Sequence, residues 1–378
     1  MRVHMAAHKI ILAIALAALV AFYGFAMTPT WLGVAEALDK AQDWPGLLAH
    51  CRRWTQAEPD DADAWYSLGV AYGSLGHDHE NIEAYQEALR LKPDYADAWN
   101  NLGAAYGRLD RHREAVEAVK EALRLKPDYF DARYNLGTAY GTLRRYPEAI
   151  EALREALRLK PDFADAWYNL GTTCNTLRRY PEAIEALREA LWLKPNFYAT
   201  WYNLGFAYQK LGRHSEAVEA YLQAVRIDPD CAKVWHNLGF AYGELGSHQD
   251  AIEAFCEALR LNPDDALAWH KLGVTYGELG RHQEAIEAYL EAVRIDPDFA
   301  LAWNNLGCSY GGLGRHQEAI EAYREALGLK PDDADAWHNI GVAYAKSGNR
   351  SAALDAVKEL RRLDPQKADE LFNFITKQ

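Results

Sequence analysis

Two columns of polar side chains stand out for what they could bind. The first holds Asn101, Asn135, Asn169, Asn203, Asn237, Asn305 and Asn339, with Ser67 and Lys271 at the same place in the other two repeats of a recurring pattern. The second, one residue earlier, holds Tyr66, Tyr134, Tyr168 and Tyr202, then His236, His270 and His338, with Asn100 and Asn304 elsewhere. An asparagine offers a donor and an acceptor on one side chain, which suits a peptide backbone. A tyrosine adds apolar area with one polar tip, a combination favoured at protein interfaces. This chemistry recognises a partner and breaks no bond.

Other reactive side chains point less clearly to a site. His77 and His79 could touch a metal, but no second cluster lies nearby in sequence, and a solvated turn explains them. His214, His248, His282 and His316 recur at the equivalent turns and so belong to the pattern. The five cysteines are scattered, with no Cys-x-x-Cys, which excludes a disulfide-stapled fold. Cys174 stands where other repeats carry a core tyrosine, so it is expected to be buried. No phosphate loop, His-Glu-x-x-His motif or nucleophile elbow is present. No catalytic, metal or cofactor residue is therefore assigned, and the chain is expected not to be an enzyme.

The elements that carry the columns are written into a period of 34 residues. Trp65, Trp99, Trp167, Trp201, Trp235, Trp269, Trp303 and Trp337 keep it, and only Arg133 interrupts the series. Prolines from Pro59 to Pro365 keep the same spacing, and Thr142 to Leu157 is identical to Thr176 to Leu191. A fixed period of this length marks a repeat array. In the repeat beginning at Ala266, residues Ala268, Trp269, Leu272, Gly273 and Tyr276 share one helical face. Gly280 ends that helix, because glycine adopts the left-handed turn at least cost. Glu284 is expected to begin a second helix with Ala285, Ile286, Tyr289, Ala292 and Val293 as its apolar stripe. Pro297 stops it. Pro147 and Pro181 fit the first turn of their second helices. Neither helix can bury its face alone, so neighbours must stack. No strand pattern appears.

The run Trp269, Leu272, Gly273, Tyr276, Ala285, Tyr289, Ala292 and Pro297 resembles the tetratricopeptide repeat family. Nine consecutive repeats over residues 62–367 carry it. Residues 28–61 look like a degenerate tenth repeat, keeping Trp31 and Pro59 but with Ala35 in place of glycine. Residues 368–378 suit a capping helix through Ala368, Leu371, Phe372 and Ile375. The resemblance implies an all-α, right-handed superhelix whose concave groove is lined by the first helix of each repeat. It also places the two polar columns in that groove: Tyr66, Asn101, Tyr134, Asn135, Tyr168, Asn169, Tyr202, Asn203, His236, Asn237, Lys271, Asn305 and Asn339. Two readings of the asparagines stay open. They can contact a ligand, as in the repeat region of the O-linked N-acetylglucosamine transferases, or they can brace neighbouring first helices. The basic carboxylate clamp of chaperone-binding members is not visible. If His236, His270 and His338 face one cavity, binding there responds to acid; the alternative is that they are simply polar groove residues.

Charge narrows the partners. The chain has 54 acidic against 41 basic residues and a formal net charge of -13, which disfavours broad phosphate binding and hence nucleic acid. An acidic surface favours neutral or basic protein segments. Residues 1–27 read as an export signal or signal anchor: Arg2 and Lys9 precede an apolar run from Ile10 to Ala26. Cleavage after Ala26 and retention in a membrane remain alternatives. The positive-inside rule places the repeats outside the cytoplasm. The expected function is a scaffold or adaptor that holds segments of other proteins in the groove. Rival readings are an accessory subunit of an envelope, pilus or secretion machine, and a noncatalytic partner of a glycosyltransferase-type system. No cofactor is expected.

Overall fold

The computed structural model describes residues 30–377, and the expected export or anchor segment lies outside them. Every regular element among the described residues is an α-helix. By internal contacts the chain divides into two compact bodies, one through Thr173 and one from Cys174.

Each repeat is a helix pair. The first helix of one repeat, Ala266–Glu278, buries Ala268, Leu272, Gly273 and Thr275. Its partner, His282–Ile295, buries Ala285, Ile286, Tyr289, Ala292 and Val293. The second helix starts two residues before the expected Glu284. Its N-cap, Arg281, makes no side-chain capping bond, so the sequence carries no capping residue to mark the start. Gly273 sets the approach of the pair. A Cβ built on it would meet the Tyr289 ring at 2.7 Å, closer than carbon atoms pack. Pro147 and Pro181 do occupy the first turns of their helices.

The turn between the two helices is left-handed at one residue. Gly280 has φ +71°, and the Arg281 N–H closes back onto the Tyr276 carbonyl at 2.9 Å. Six repeats use glycine here. Asp110 (φ +57°), Arg144 (+57°) and Arg178 (+60°) hold the same conformation with a side chain attached.

The tryptophan and proline periods are two ends of one contact. The Trp269 indole N–H donates to the Pro263 carbonyl at 2.9 Å. The same bond joins Trp65 to Pro59, Trp99 to Pro93 and Trp337 to Pro331 at 2.8 to 2.9 Å. Arg133 keeps the bond although it breaks the series, since its guanidinium donates to the Pro127 carbonyl at 3.2 Å. The joint there is maintained, with a different donor.

Further helices flank the nine repeats among the described residues. Helices Trp31–Lys40 and Trp44–Ala57 stand in the place of the degenerate repeat, with Ala35 buried and His50 bonded to the Trp31 carbonyl at 2.8 Å. At the other end the last helix runs Pro365–Lys377 and buries Ala368, Leu371 and Ile375. Leu371 packs against Gly341. Phe372, expected in that stripe, points outward instead and is 42% exposed. One further consequence of the stacking matters for the site. Within each body, consecutive first helices touch one another, as do Ala96–Arg108 with Phe130–Thr142 and Ala266–Glu278 with Ala300–Gly312. The second helices of successive repeats make no comparable contact among the described residues, so in each body the first helices form the tighter, inner row.

Candidate functional site

The polar columns lie on these first helices, off the apolar stripe. Tyr66, Asn101, Tyr134, Asn135, Tyr168, Asn169, Tyr202, Asn203, His236, Asn237, Lys271, Asn305 and Asn339 are all half-buried. Half-burial is what a surface bordering a packed helix seam and open to solvent should show.

The two columns are joined by hydrogen bonds that run from one repeat to the one before. The side-chain amide of Asn101 donates to the Tyr66 hydroxyl at 3.2 Å. Asn169 donates to Tyr134, and Asn237 to Tyr202, both at 3.2 Å. Where the earlier column holds asparagine, the acceptor is its carbonyl: Asn135 bonds Asn100 at 3.0 Å and Asn339 bonds Asn304 at 3.2 Å. Asn305 meets His270 Nε2 at 3.1 Å. Bridges between neighbouring first helices are therefore one use of this column. Two members depart from it. Asn203 turns back to the Ala199 carbonyl of its own helix at 2.7 Å, and Lys271 lies over the Phe240 ring at 5.3 Å.

The bridge occupies the NH2 end of each amide. Among the described residues, the Oδ1 atoms of Asn135, Asn169, Asn237, Asn305 and Asn339 accept no hydrogen bond, and none of them is fully buried. Asn101 differs, because its Oδ1 accepts from Asn100. What the row presents outward is a series of carbonyl acceptors, interleaved with aromatic faces. Tyr66 stacks on Tyr95 with ring centres 4.8 Å apart, and Phe163 meets Tyr134 edge-on at 5.1 Å. Burial, then the hydrogen bond to Asp63, pushes the Tyr95 phenol well above its usual range, so the ring stays neutral.

Of the three histidines in the column, His270 is closed off from solvent. His270 is only 3% exposed and belongs to the bridge, and burial pulls its pKa down to about 4. His236 faces Asp265 at 3.5 Å. His214, His248, His282 and His316 open their second helices and do not sit in the preceding turns. His77 stands at the N-cap position of its helix without a side-chain capping bond, and His79 lies inside the helix. Among the described residues, no three His, Cys, Asp or Glu side chains could hold a metal ion together. Cys174 is fully buried.

A second concavity was not anticipated. On the second-helix side, a cleft of about 560 Å³ is lined by Trp192, Trp201, Leu204 and Tyr208, with Trp192 79% exposed. The sequence signal was there: Trp192 stands where other repeats carry Arg90, Arg124, Arg158, Arg226, Arg260 and Arg294.

Known proteins repeat this architecture. Models described as tetratricopeptide repeat or TPR repeat match residues 62–95, 94–162, 134–196, 197–264, 236–298, 288–321, 309–348 and 334–367. No curated protein sequence matches the chain. Among solved structures, a MamA protein is 32% identical over 45% of this chain and 93% of its own, with a TM-score of 0.43. YrrB, described as a TPR protein with an unusual peptide-binding site, is 25% identical over 50% of this chain and 97% of its own, with a TM-score of 0.47. The C-terminal part of a TPR repeat-containing protein from Cytophaga hutchinsonii is 18% identical over 63% of this chain and 98% of its own, with a TM-score of 0.56. With family models spanning residues 62–367, and the tryptophan position filled in every repeat but the one with Arg133, the chain belongs to the tetratricopeptide repeat family.

Proposed function

We propose that the protein is a noncatalytic scaffold that holds extended segments of other proteins along the inner row of first helices of each body. One observation carries this reading: among the described residues, Oδ1 acceptors without a hydrogen bond recur in each body, at Asn135 and Asn169 in one and at Asn237, Asn305 and Asn339 in the other. A repeated acceptor fits the repeated N–H groups of an extended backbone, which present a donor every residue or two. Tyr66, Tyr134 and Tyr202 supply apolar contact beside it, and many modest contacts sum along the array. The bridges hold each amide so that its free end points one way, which lowers the ordering cost of binding.

The test separates binding from bracing. A displayed random peptide library is panned on the full chain, and the selected peptide's affinity is measured by fluorescence anisotropy. Asn169→Ala with Asn237→Ala removes acceptor and bridge together. Tyr134→Phe with Tyr202→Phe removes the bridging hydroxyls and leaves the acceptors. The asparagine pair should weaken binding about tenfold or more, on the order of 1.4 kcal/mol, while the phenylalanine pair stays within about threefold. Equal losses in both pairs, or no loss, would refute the groove reading.

We further infer that the repeats work outside the cytoplasm, exported or tethered by residues 1–27. The support is the sequence: Arg2 and Lys9 before an uncharged apolar run, with Glu36, Asp39, Lys40 and Asp43 after it. Among the described residues no helix is long and apolar enough to cross a membrane.

A further inference from the structure

The run of aspartates on the first helices of the N-terminal body does not continue in the C-terminal body. Two residues before the repeat tryptophan, or before Arg133, the N-terminal body carries Asp63, Asp97, Asp131 and Asp165. In the C-terminal body the same position reads Ala199, Lys233, Leu267, Leu301 and Asp335. Lys233 is one of three lysines on consecutive first helices, Tyr198–Lys210, Ala232–Glu244 and Ala266–Glu278.

Each of the three lies over an aromatic ring. Lys233 Nζ sits 5.2 Å from the centre of Tyr202, Lys210 Nζ 5.2 Å from Phe206, and Lys271 Nζ 5.3 Å from Phe240. Phe206 and Phe240 occupy a place that elsewhere holds Val70, Ala104, Thr138, Thr172, Val274, Cys308 or Val342. The rings and the lysines therefore arrive together, in the same two or three repeats. Lys271 also displaces the asparagine that would bridge to the preceding helix.

None of these three ammonium groups has a carboxylate within ion-pair distance among the described residues. The arginines of the neighbouring second helices behave otherwise: Arg260 pairs with Glu257, Arg294 with Glu291 and Arg281 with Glu284, each at 2.8 Å. The carboxylates nearest in the sequence pattern have other roles. Asp265 caps the helix Ala266–Glu278 by accepting from the Ala268 N–H at 3.0 Å, and also faces His236. Glu278 meets His248 at 3.2 Å. Glu244 ends the middle helix at the place that Lys210 fills in the preceding repeat.

Three unpaired cations held on ring faces, in a protein of net charge -13, are complementary to negative charge. We propose that this stretch of the inner row takes an acidic segment of a partner protein, its Asp or Glu carboxylates on Lys210, Lys233 and Lys271 and its apolar side chains on Phe206 and Phe240. The overall acidity, which favours neutral or basic partners, is locally reversed here. The proposal rests on the groove reading above and names the chemistry of one part of it.

The probes are a fluorescein-labelled twelve-residue peptide of Glu, Tyr and Gly, its Lys-for-Glu counterpart, and an oligothymidylate of matched negative charge. Binding to the full chain is followed by anisotropy. The acidic peptide should bind, lose affinity as NaCl rises from about 50 to 300 mM, and weaken about tenfold or more in a triple variant Lys210→Gln, Lys233→Ala, Lys271→Asn. Lys271→Asn alone installs the residue used by most repeats, so it should fold normally and still lower the affinity about twofold to fourfold. Tighter binding of the basic peptide, equal binding of the oligothymidylate, or an unchanged triple variant would overturn the proposal. If the acidic peptide fails while the library-selected peptide still depends on Asn169 and Asn237, the groove reading stands and this inference alone falls.

Discussion

Removing a side chain should stabilise this protein at two or three turns. Arg144 and Arg178 hold φ near +57° and +60°, the left-handed conformation that glycine adopts at Gly76, Gly212, Gly246, Gly280, Gly314 and Gly348. A non-glycine residue in that conformation is less stable by roughly 1–2 kcal/mol. Glycine loses more freedom on folding, which offsets about 0.5–1 kcal/mol of the relief. No packing is lost: a Cβ built on any of those six glycines meets nothing within 4 Å, and both arginines are exposed. Arg144→Gly and Arg178→Gly should each gain about 0.5–1 kcal/mol. Asp110→Gly should gain least, since aspartate tolerates this conformation better and Asp110 lies 3.4 Å from His112 Nε2. The three turns share no partner, so their effects should add. Urea unfolding monitored by circular dichroism measures the sum, and hydrogen exchange at the following amides locates it. In a repeat array local gains reach the global transition only in part, so exchange is the decisive readout. Unchanged or faster exchange around Arg145 and Arg179 in the glycine variants would refute the reasoning. Gly280→Arg supplies the reverse experiment and should lose a comparable amount.

Acid should weaken the C-terminal body through His270. Its folded pKa is about 4 against an ordinary 6.5, so the unfolded chain takes up the proton first. Stability from this residue is complete above about pH 6.5 and falls progressively towards pH 4, by a few kcal/mol at most. His270→Asn, the residue present at Asn100 and Asn304, should keep the bridge from Asn305 and flatten that part of the pH profile; an unaltered profile from pH 4 to 7 would dismiss the assignment. Export makes a separate prediction: protease added to intact cells should digest the repeats or find them released, and full protection without envelope disruption, together with recovery in the soluble cytoplasmic fraction, would exclude it.

The helix pairs were legible because their determinants are local. Leu272, Gly273 and Ala285 recur at helical spacing, and a left-handed turn after Tyr276 calls for Gly280. What lay beyond the sequence depends on contacts across a joint. The tryptophan and proline periods are both plain in the text, but nothing in them says that the indole donates to the proline carbonyl, or that Arg133 can replace it. The asparagine column invited either bracing or binding, and only the bonds to Tyr66, Tyr134 and Tyr202 show that its NH2 groups brace. His270 looks like its neighbours in sequence, yet Phe299 packs at 4.8 Å and closes it off. The early start of His282–Ile295 escaped notice because arginine is no N-cap signal.

The bond from Trp269 to Pro263 closes a loop of only six residues, yet it fixes how one repeat enters the next. Each joint thus carries its own registry and needs no distant part of the chain to set it. Short-range closure of this kind favours fast, stepwise folding from any point along the array. It also means that a stretch of 34 residues can be copied in tandem and dock at once on its parent. Thr142 to Leu157 and Thr176 to Leu191, letter for letter the same, have the form such a duplication leaves behind. The clasp makes length a freely adjustable property, so that lineages of this array can differ in reach while keeping every joint.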